Sequence, residues 1–292
     1  PFLQPHLAML MKNLRANPST ANPAIMLGYS CYSVFKRIIV PKSIPFDSPE
    51  YWNAWRNWCK GAAELLQKHG LGFDEFTMEI FDEPNTRDFP IEELRRACVE
   101  SKKAVPEMRL MLTSGMTYFE AVKDLIDDWI FTYYRVLETD YRQKMESFRA
   151  MPGKHMSIYA CGTSMRQDLY RYYRLLPWRA LEARCDSVSL YQFMEQHPGA
   201  DFYRAPRGGV TYTTPNGVIP SIRLESFRLG LTDVKYMQLL EQKAKGNDST
   251  AIEARKFLKQ AARDVAVVFS HDPGKADESR AKAIDFLLRL AK

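Results

Sequence analysis

Three features of the sequence predict an α/β fold in which short parallel strands alternate with amphipathic helices. The chain has 292 residues, of which 46% are hydrophobic and 12% aromatic, enough apolar material for a large core. Short apolar runs alternate with stretches of helical periodicity, as in successive βα units. No low-complexity segment or Gly/Ser-rich linker interrupts this alternation, which indicates one continuous architecture.

The alternation resolves into six predicted strands, each a short run rich in apolar and aromatic residues. In chain order they are 24–31, 75–81, 108–114, 128–134, 155–162 and 187–193. The helices predicted between them are 48–70, 90–104, 117–125, 138–150 and 168–185. Ser48, a residue that caps helix starts, and Gly70, a residue that ends helices, set the limits of the first of these helices.

Helices that alternate with parallel strands in this way are typical of the TIM-type (β/α)8 barrel, which needs eight strands. The chain begins in a helical pattern, "HLAMLMKNLRANP", that would follow an earlier strand in such a barrel. We therefore predict a (β/α)8 barrel over residues 1–245 that lacks its first two strands in this chain. The polar segment "KGNDSTA" precedes two further helical patterns, which predict a C-terminal helical appendix at 246–292.

Composition and motifs argue against several classes of protein. The net charge of +6 is spread over helical faces instead of forming a basic patch, so no nucleic-acid partner is predicted. No uncharged apolar run reaches the roughly 18 residues of a membrane span. The five cysteines are widely spaced, and C-x-x-C, H-E-x-x-H, G-x-G-x-x-G, Walker and G-x-S-x-G motifs are absent. The sequence therefore predicts no metal and no cofactor, and it predicts buried free thiols.

Two adjacent carboxylates, Asp82 and Glu83, end a predicted strand and precede Pro84. In a (β/α) barrel the active site lies at this end of the strands. Neighbouring strand residues point to opposite faces, so both carboxylates can serve one site only where the strand turns into its loop. Pro84 is expected to keep Glu83 extended. Because close carboxylates repel, one tends to hold a proton beside a charged partner, as glycoside cleavage requires.

The nucleophile of such a reaction is left open by the residues alone. A conventional retaining glycosidase needs a second carboxylate about 5 Å from the first. The predicted strand ends offer Glu195, or else a carboxylate in the missing strands, for a reaction on sugars without an N-acetyl group. Alternatively, the 2-acetamido group of the substrate attacks, while Asp82 holds its N–H and Glu83 protonates the leaving oxygen. A third alternative is a non-catalytic glycan-binding or interaction module, in which both carboxylates are merely solvated.

Four stretches resemble the catalytic domain of glycoside hydrolase family 123 and its uncharacterised relatives. They are "IFDEP", "DDWIFTYY", "IYACGT" and "GGVTYTTPNGVIPSIRLESFRLGLTDVKYMQLLE", of which the part from Val210 to Leu240 is the most specific. The resemblance implies a β-N-acetylgalactosaminidase that uses substrate-assisted catalysis. Asp82 would stabilise the 2-acetamido group and Glu83 would be the general acid and base. The resemblance also favours a periplasmic or secreted protein, although no signal peptide is visible.

Five further residues are predicted to bind the glycan substrate. Trp129 shares one face of its predicted strand with Asp127 and Tyr133, where it either floors a sugar site or fills the barrel interior. We favour the sugar site. Tyr159 is expected to donate a hydrogen bond to the acetamido carbonyl, and Tyr191 stands where the resemblance leads us to expect tryptophan. The sequence does not predict an oligomeric state.

Overall fold

Strands and helices alternate along the chain as the sequence predicts, and the α/β class is confirmed. The computed structural model describes residues 25–27, 30–86, 88–161, 168–191, 209–214 and 217–291. Packing divides them into two units. Unit 1 contains the described residues up to 130 together with 144–155, and unit 2 contains 131–143 and the described residues from 156 onwards.

Unit 1 contains parallel strands that pair with their neighbours in the chain. They are β1 (Ile25–Leu27), β2 (Phe76–Asp82), β3 (Arg109–Thr113) and β4 (Asp128–Thr132), whose last two residues belong to unit 2. The helices between them are α1 (Cys31–Val34), α2 (Pro49–Lys68), α3 (Ile91–Ala104) and α4 (Phe119–Val122). Helix α5 (Thr139–Arg149) follows β4, and its first five residues belong to unit 2. A π-helical turn, Phe35–Ile39, extends α1, and 3-10 turns lie at Pro84–Thr86 and Met116–Tyr118.

Both predicted ends of the first long helix are confirmed. Ser48 caps α2 by accepting a hydrogen bond from the backbone N–H of Tyr51 at 3.1 Å. Gly70 follows the helix with a φ of 80°, a left-handed conformation that glycine adopts without steric cost. The apolar face of α2 packs against α3 through Trp55, whose indole N–H donates to Ser101 Oγ at 3.1 Å. Helix α3 in turn contacts β2, whose first six residues are buried.

A β-bulge in β2 decides which of its side chains share a face. Glu79 pairs with Met111, whereas Asp82 pairs with Thr113, so three steps along β2 match two steps along β3. Ile80 is therefore the extra residue of the bulge. Paired residues lie on the same face of a sheet, and side chains alternate along each strand. The bulge thus brings Glu79 and Asp82 to one face, although their odd spacing in the sequence would separate them in a regular strand.

Unit 2 contains the parallel pair β5 (His155–Cys161, from its second residue) and β6 (Ser187–Tyr191). The backbone N–H of Tyr133, just after β4, donates to the carbonyl of Tyr159 in β5 at 3.1 Å. An antiparallel ribbon is formed by β7 (Thr211–Thr214) and β8 (Gly217–Pro220). The helices are α6 (Leu175–Glu182), α7 (Ile222–Lys243), α8 (Ser249–Arg263) and α9 (Pro273–Leu290), with π-helical turns at Tyr170–Arg174 and Asp264–Val268.

The helices of unit 2 meet around a buried carboxylate on α7. Asp233 is fully buried and accepts hydrogen bonds from Arg174 Nε at 2.8 Å, from Trp178 Nε1 at 3.2 Å and from Arg280 at 2.8 Å. Arg280 lies on α9, and buried residues of α8 and α9 share one apolar cluster with Trp178 and Met237. The two helices predicted as an appendix therefore pack inside unit 2, and the domain boundary predicted at residue 245 stays a prediction.

Gly230, one turn before this carboxylate, lies against the backbone of the neighbouring π-helical turn. A Cβ atom added at Gly230 would stand 2.2 Å from the carbonyl oxygen of Arg174. Only a residue without a side chain permits this approach of α7.

The prediction of a TIM-type (β/α)8 barrel is wrong. The strand order is β1-β2-β3-β4-β5-β6, and no pairing of β6 with β1 is formed by the residues that the structure describes. The described strands thus form a parallel sheet with helices and not a closed (β/α)8 barrel. A βα period predicts that successive strands pair in parallel, but closure also depends on strand tilt and stagger, which periodicity does not encode. The predicted helix before β1 lies outside the described residues. None of the described helices is both long and apolar enough to cross a lipid bilayer.

Candidate active site

Asp82 is the last residue of β2, and Glu83 is the first residue after it. The backbone N–H of Asp82 donates to Ser30 Oγ, which follows β1, at 2.8 Å. The backbone N–H of Glu83 donates to the carbonyl of Thr113, the last residue of β3, also at 2.8 Å. Both carboxylates are half-buried. Hydrogen bonds donated to two neighbouring strand ends therefore fix the backbone of this pair at the carboxyl edge of the unit 1 strands.

The backbone at Glu83 is left-handed, with a φ of 45°, so the expectation of an extended residue before Pro84 is wrong. The cause is the 3-10 turn Pro84–Thr86, which folds back on the strand. The N–H of Thr86 donates to the carbonyl of Glu83 at 3.0 Å, and the Thr86 hydroxyl donates to the same oxygen at 2.8 Å. Ser30 is also left-handed, with a φ of 52°. Strained backbone of this kind, outside glycine, is concentrated at functional sites.

Glu79 is a third carboxylate of this site, and it was not predicted from the sequence. It is only 2% exposed and lies on the same face of β2 as Asp82. Burial raises the pKa of Glu79, the hydrogen bonds from Thr113 and Ser30 oppose this shift, and the charges of Asp82 and Glu83 add to it. A charged residue inside the apolar run "FTMEIF" was the available signal, because carboxylates are rarely buried without a partner.

The turn after Glu83 is held by side chains from the segment that follows β3. Asn85 Oδ1 accepts a hydrogen bond from the Ser114 hydroxyl at 3.2 Å. The hydroxyl of Tyr118 lies 2.7 Å from the carbonyl of Phe89 and 3.2 Å from that of Pro84. These contacts fix the loop on which Glu83 sits.

Trp129 lies on the other face of the sheet from Asp82. It pairs with Leu112, which pairs with Phe81, the residue before Asp82. The side chain is fully buried, its ring centroid is 5.3 Å from that of Phe119, and its indole N–H donates to a backbone oxygen at 3.0 Å. This burial corrects the interpretation of Trp129 as the floor of a sugar site, because a ring with no exposed surface cannot contact a substrate.

Asp127 lies at the amino end of β4, opposite to the carboxyl end of the strands where Asp82 is found. Its carboxylate accepts hydrogen bonds from Lys102 Nζ at 2.7 Å and from the backbone N–H of Leu110 at 2.9 Å. Lys154 Nζ lies 3.6 Å from its other oxygen. The structure therefore does not bring Asp127 to the candidate site, and its contacts indicate a structural ion pair.

The three predicted tyrosines belong to unit 2. Tyr159 in β5 and Tyr191 at the end of β6 lie on the same face, since Tyr191 pairs with the second residue after Tyr159. Tyr159 is half-buried, and Tyr191 is 55% exposed. The guanidinium of Arg179 stands 5.2 Å from the ring centroid of Tyr133. Their role in substrate binding stays a prediction, and Glu195 lies outside the described residues.

The predicted burial of free thiols is confirmed for Cys31, Cys59 and Cys98. Burial raises the pKa of each of these thiols to about 12. Cys185 is half-buried, and the side chain of Cys161 lies outside the described residues. Within the described ranges, no three His, Cys, Asp or Glu side chains converge in a way that could hold a metal ion.

Comparisons with known proteins give little information on this site. No protein-family model matches the chain, and no curated protein matches it. One similar solved structure is "The crystal structure of SrfJ from salmonella typhimurium", with a TM-score of 0.44 and 11% sequence identity. The similar region covers 62% of this chain and 47% of the SrfJ chain, so this chain matches about half of the length of SrfJ. At this TM-score the likeness carries no argument about function.

Proposed function

We propose that this protein is a glycoside hydrolase that removes terminal N-acetylhexosamine, with β-N-acetylgalactosamine as the preferred sugar, by substrate-assisted retaining catalysis. The observation that supports the proposal is the backbone arrangement of Asp82 and Glu83. Asp82 is still paired with β3, whereas Glu83 is already in a left-handed turn. The alternation that sends neighbouring side chains to opposite faces therefore ends between them, as a shared site requires.

In the first step of this reaction, the acetamido carbonyl oxygen attacks the anomeric carbon and the bond to the leaving oxygen breaks. Glu83 donates its proton to that oxygen. Asp82 accepts the acetamido N–H and offsets the positive charge that spreads over the closing oxazolinium ring. In the second step, water attacks the anomeric carbon, Glu83 takes the proton of the water, and the ring opens with overall retention of configuration.

The buried Glu79 bears on the rival mechanism with a protein nucleophile. It is the carboxylate whose charge couples to both Asp82 and Glu83. However, it is 2% exposed, and each of its oxygens accepts a hydrogen bond from the protein. A nucleophile must reach the anomeric carbon, and Glu79 is closed off from a sugar. This favours the acetamido group as the nucleophile.

The test is a comparison of aryl N-acetyl-β-hexosaminides with the corresponding aryl β-hexosides that lack the acetamido group. We expect hydrolysis of the first class alone, with a β-configured first product by NMR and inhibition by a thiazoline mimic of the closed ring. Asp82→Asn, which should lower kcat on these substrates, serves as the control variant. Labelling of any carboxylate, Glu195 included, by a fluorinated glycoside would contradict the proposal and support a conventional retaining glycosidase. Binding of glycans without turnover would support a non-catalytic module.

A further inference from the structure

Glu79 connects the two hydrogen bonds that fix the backbone of Asp82 and Glu83. Each of its carboxylate oxygens accepts a hydrogen bond from one residue, and that residue in turn accepts one from the backbone of Asp82 or of Glu83. We infer that Glu79 is a positioning residue that sets the placement of the Asp82–Glu83 pair through Ser30 and Thr113. In its catalytic meaning, this inference rests on the proposed function.

The first connection passes through Ser30 at the carboxyl end of β1. The backbone N–H of Ser30 donates to Glu79 Oε2 at 3.1 Å, and Ser30 Oγ accepts the N–H of Asp82 at 2.8 Å. Ser30 is 2% exposed and holds a left-handed φ of 52°, which serine adopts only when its surroundings impose it. The hydrogen bond to Glu79 therefore helps to hold Ser30 Oγ within hydrogen-bonding distance of the backbone N–H of Asp82.

The second connection passes through Thr113 at the carboxyl end of β3. The Thr113 hydroxyl donates to Glu79 Oε1 at 2.7 Å, and the Thr113 carbonyl accepts the N–H of Glu83 at 2.8 Å. Thr113 is 6% exposed, so this short bond forms away from water, where it is strong. The two connections together join three strand ends through one side chain.

A carboxylate suits this position because both neighbours donate a hydrogen to it. The N–H of Ser30 can only donate, so it needs an acceptor at Glu79. The Thr113 hydroxyl can donate or accept, so a glutamine at 79 can satisfy both neighbours if this hydroxyl rotates. A methionine has nearly the shape of glutamate but accepts from neither. Glu79→Gln and Glu79→Met are thus matched variants that separate loss of charge from loss of positioning.

The first experiment measures amide hydrogen exchange of Asp82 and Glu83 by NMR, and it does not depend on any activity. In Glu79→Met we expect both amides to exchange about tenfold faster, the effect of losing one net hydrogen bond, while the other β2 amides keep their rates. Glu79→Gln should leave both amides protected. Ser30→Gly, which tolerates a positive φ but lacks Oγ, should release the amide of Asp82 and leave that of Glu83 protected.

The second experiment measures kcat and KM on an aryl N-acetyl-β-hexosaminide. Glu79→Met should lower kcat by about tenfold to a hundredfold and leave KM nearly unchanged, because misplaced catalytic groups act mainly on the transition state. Thr113→Val should lower kcat in the same direction, and Thr113→Ser, which restores the hydroxyl, should recover it.

These outcomes separate the inference from the proposed function. Unchanged exchange at Asp82 and Glu83 in Glu79→Met, or faster exchange along the whole of β2, would overturn the positioning role whatever the activity. If the parent protein cleaves no hexosaminide, the proposed function fails, and the exchange pattern still decides whether Glu79 holds the pair. If Glu79→Met does not fold, Ser30→Gly and the Thr113 variants test the two connections one at a time.

Discussion

The left-handed backbone at Glu83 makes a prediction in which stability and activity move in opposite directions. Glu83→Gly removes the carboxylate and also relieves the backbone, because glycine adopts a φ of 45° freely. We expect the variant to be at least as stable as the parent protein and to lose activity on natural glycans. Asp82→Gly is the matched control, since Asp82 is the adjacent carboxylate in regular pairing with β3.

The expected change follows from three contributions. A left-handed conformation costs an L-residue about 1–2 kcal/mol, and glycine avoids this cost. The greater freedom of glycine in the unfolded chain opposes this gain by about 0.4–1 kcal/mol. Removing one of three mutually repelling carboxylates acts in the stabilising direction. Glu83→Gly should therefore gain up to about 1.5 kcal/mol, whereas Asp82→Gly, at an extended position, should lose about 0.5–1 kcal/mol.

The assay is urea denaturation of both variants beside the parent protein, with the free energy of unfolding extrapolated to water and the slope compared. Turnover of an N-acetyl-β-hexosaminide with a poor leaving group is measured on the same samples. If Glu83→Gly loses as much stability as Asp82→Gly at an unchanged slope, the backbone at Glu83 carries no strain. The idea that this turn is maintained for function would then be wrong.

Four further predictions concern catalysis, titration and packing. Glu83→Gln should slow substrates with poor leaving groups by about 10² to 10⁴ and activated aryl glycosides far less, and equal losses on both would count against an acid role. Asp82→Asn should lower kcat more than it raises KM and weaken thiazoline binding; a pure KM effect would contradict its role in the transition state. Because the pKa of Glu79 is raised, its contribution to stability is complete below the ordinary value of 4.5 and is lost as the pH rises through the raised value. In urea unfolding at several pH values, the free energy of unfolding of Glu79→Gln should therefore increase relative to that of the parent protein as the pH rises. A pH-independent difference would refute this. Gly230→Ala should destabilise the protein by about 1–3 kcal/mol, because the added Cβ would lie 2.2 Å from a main-chain oxygen. Gly61→Ala, where the added Cβ meets no atom within 4 Å, should instead stabilise α2. Similar effects of the two substitutions in urea unfolding would contradict the packing argument.

The sequence predicted those elements whose limits are marked by local chemistry. Ser48 and Gly70 each act within one turn of the helix they bound, so the residue types alone place both ends of α2. The same holds for the carboxylate pair, since the strand ending at Asp82 was visible as an apolar run. Closure of a sheet is not local, because it depends on how all strands tilt together, and the barrel prediction failed for that reason.

The side-chain directions in β2 could not be predicted, since they depend on an irregularity that leaves no mark in the sequence. Strict alternation assigns Glu79 to the face opposite Asp82, and only the bulge at Ile80 reverses this. The strand "DDWIFTYY" alternates regularly, but the pattern alone does not say which face meets the helices. For this reason the sequence predicted Trp129 in a sugar-binding site, whereas its side chain is buried in the core.

The contact between Gly230 and the backbone of Arg174 has a consequence for how related sequences are grouped. Gly230 and Asp233 belong to the segment Val210 to Leu240, and both lie where α7 meets its neighbours in unit 2. Sequence similarity in this segment therefore indicates that two proteins pack their helices in the same way. This packing requirement does not involve a bound sugar. Proteins grouped by similarity in this segment should be compared at the positions equivalent to 79, 82 and 83 before a substrate is assigned to any of them.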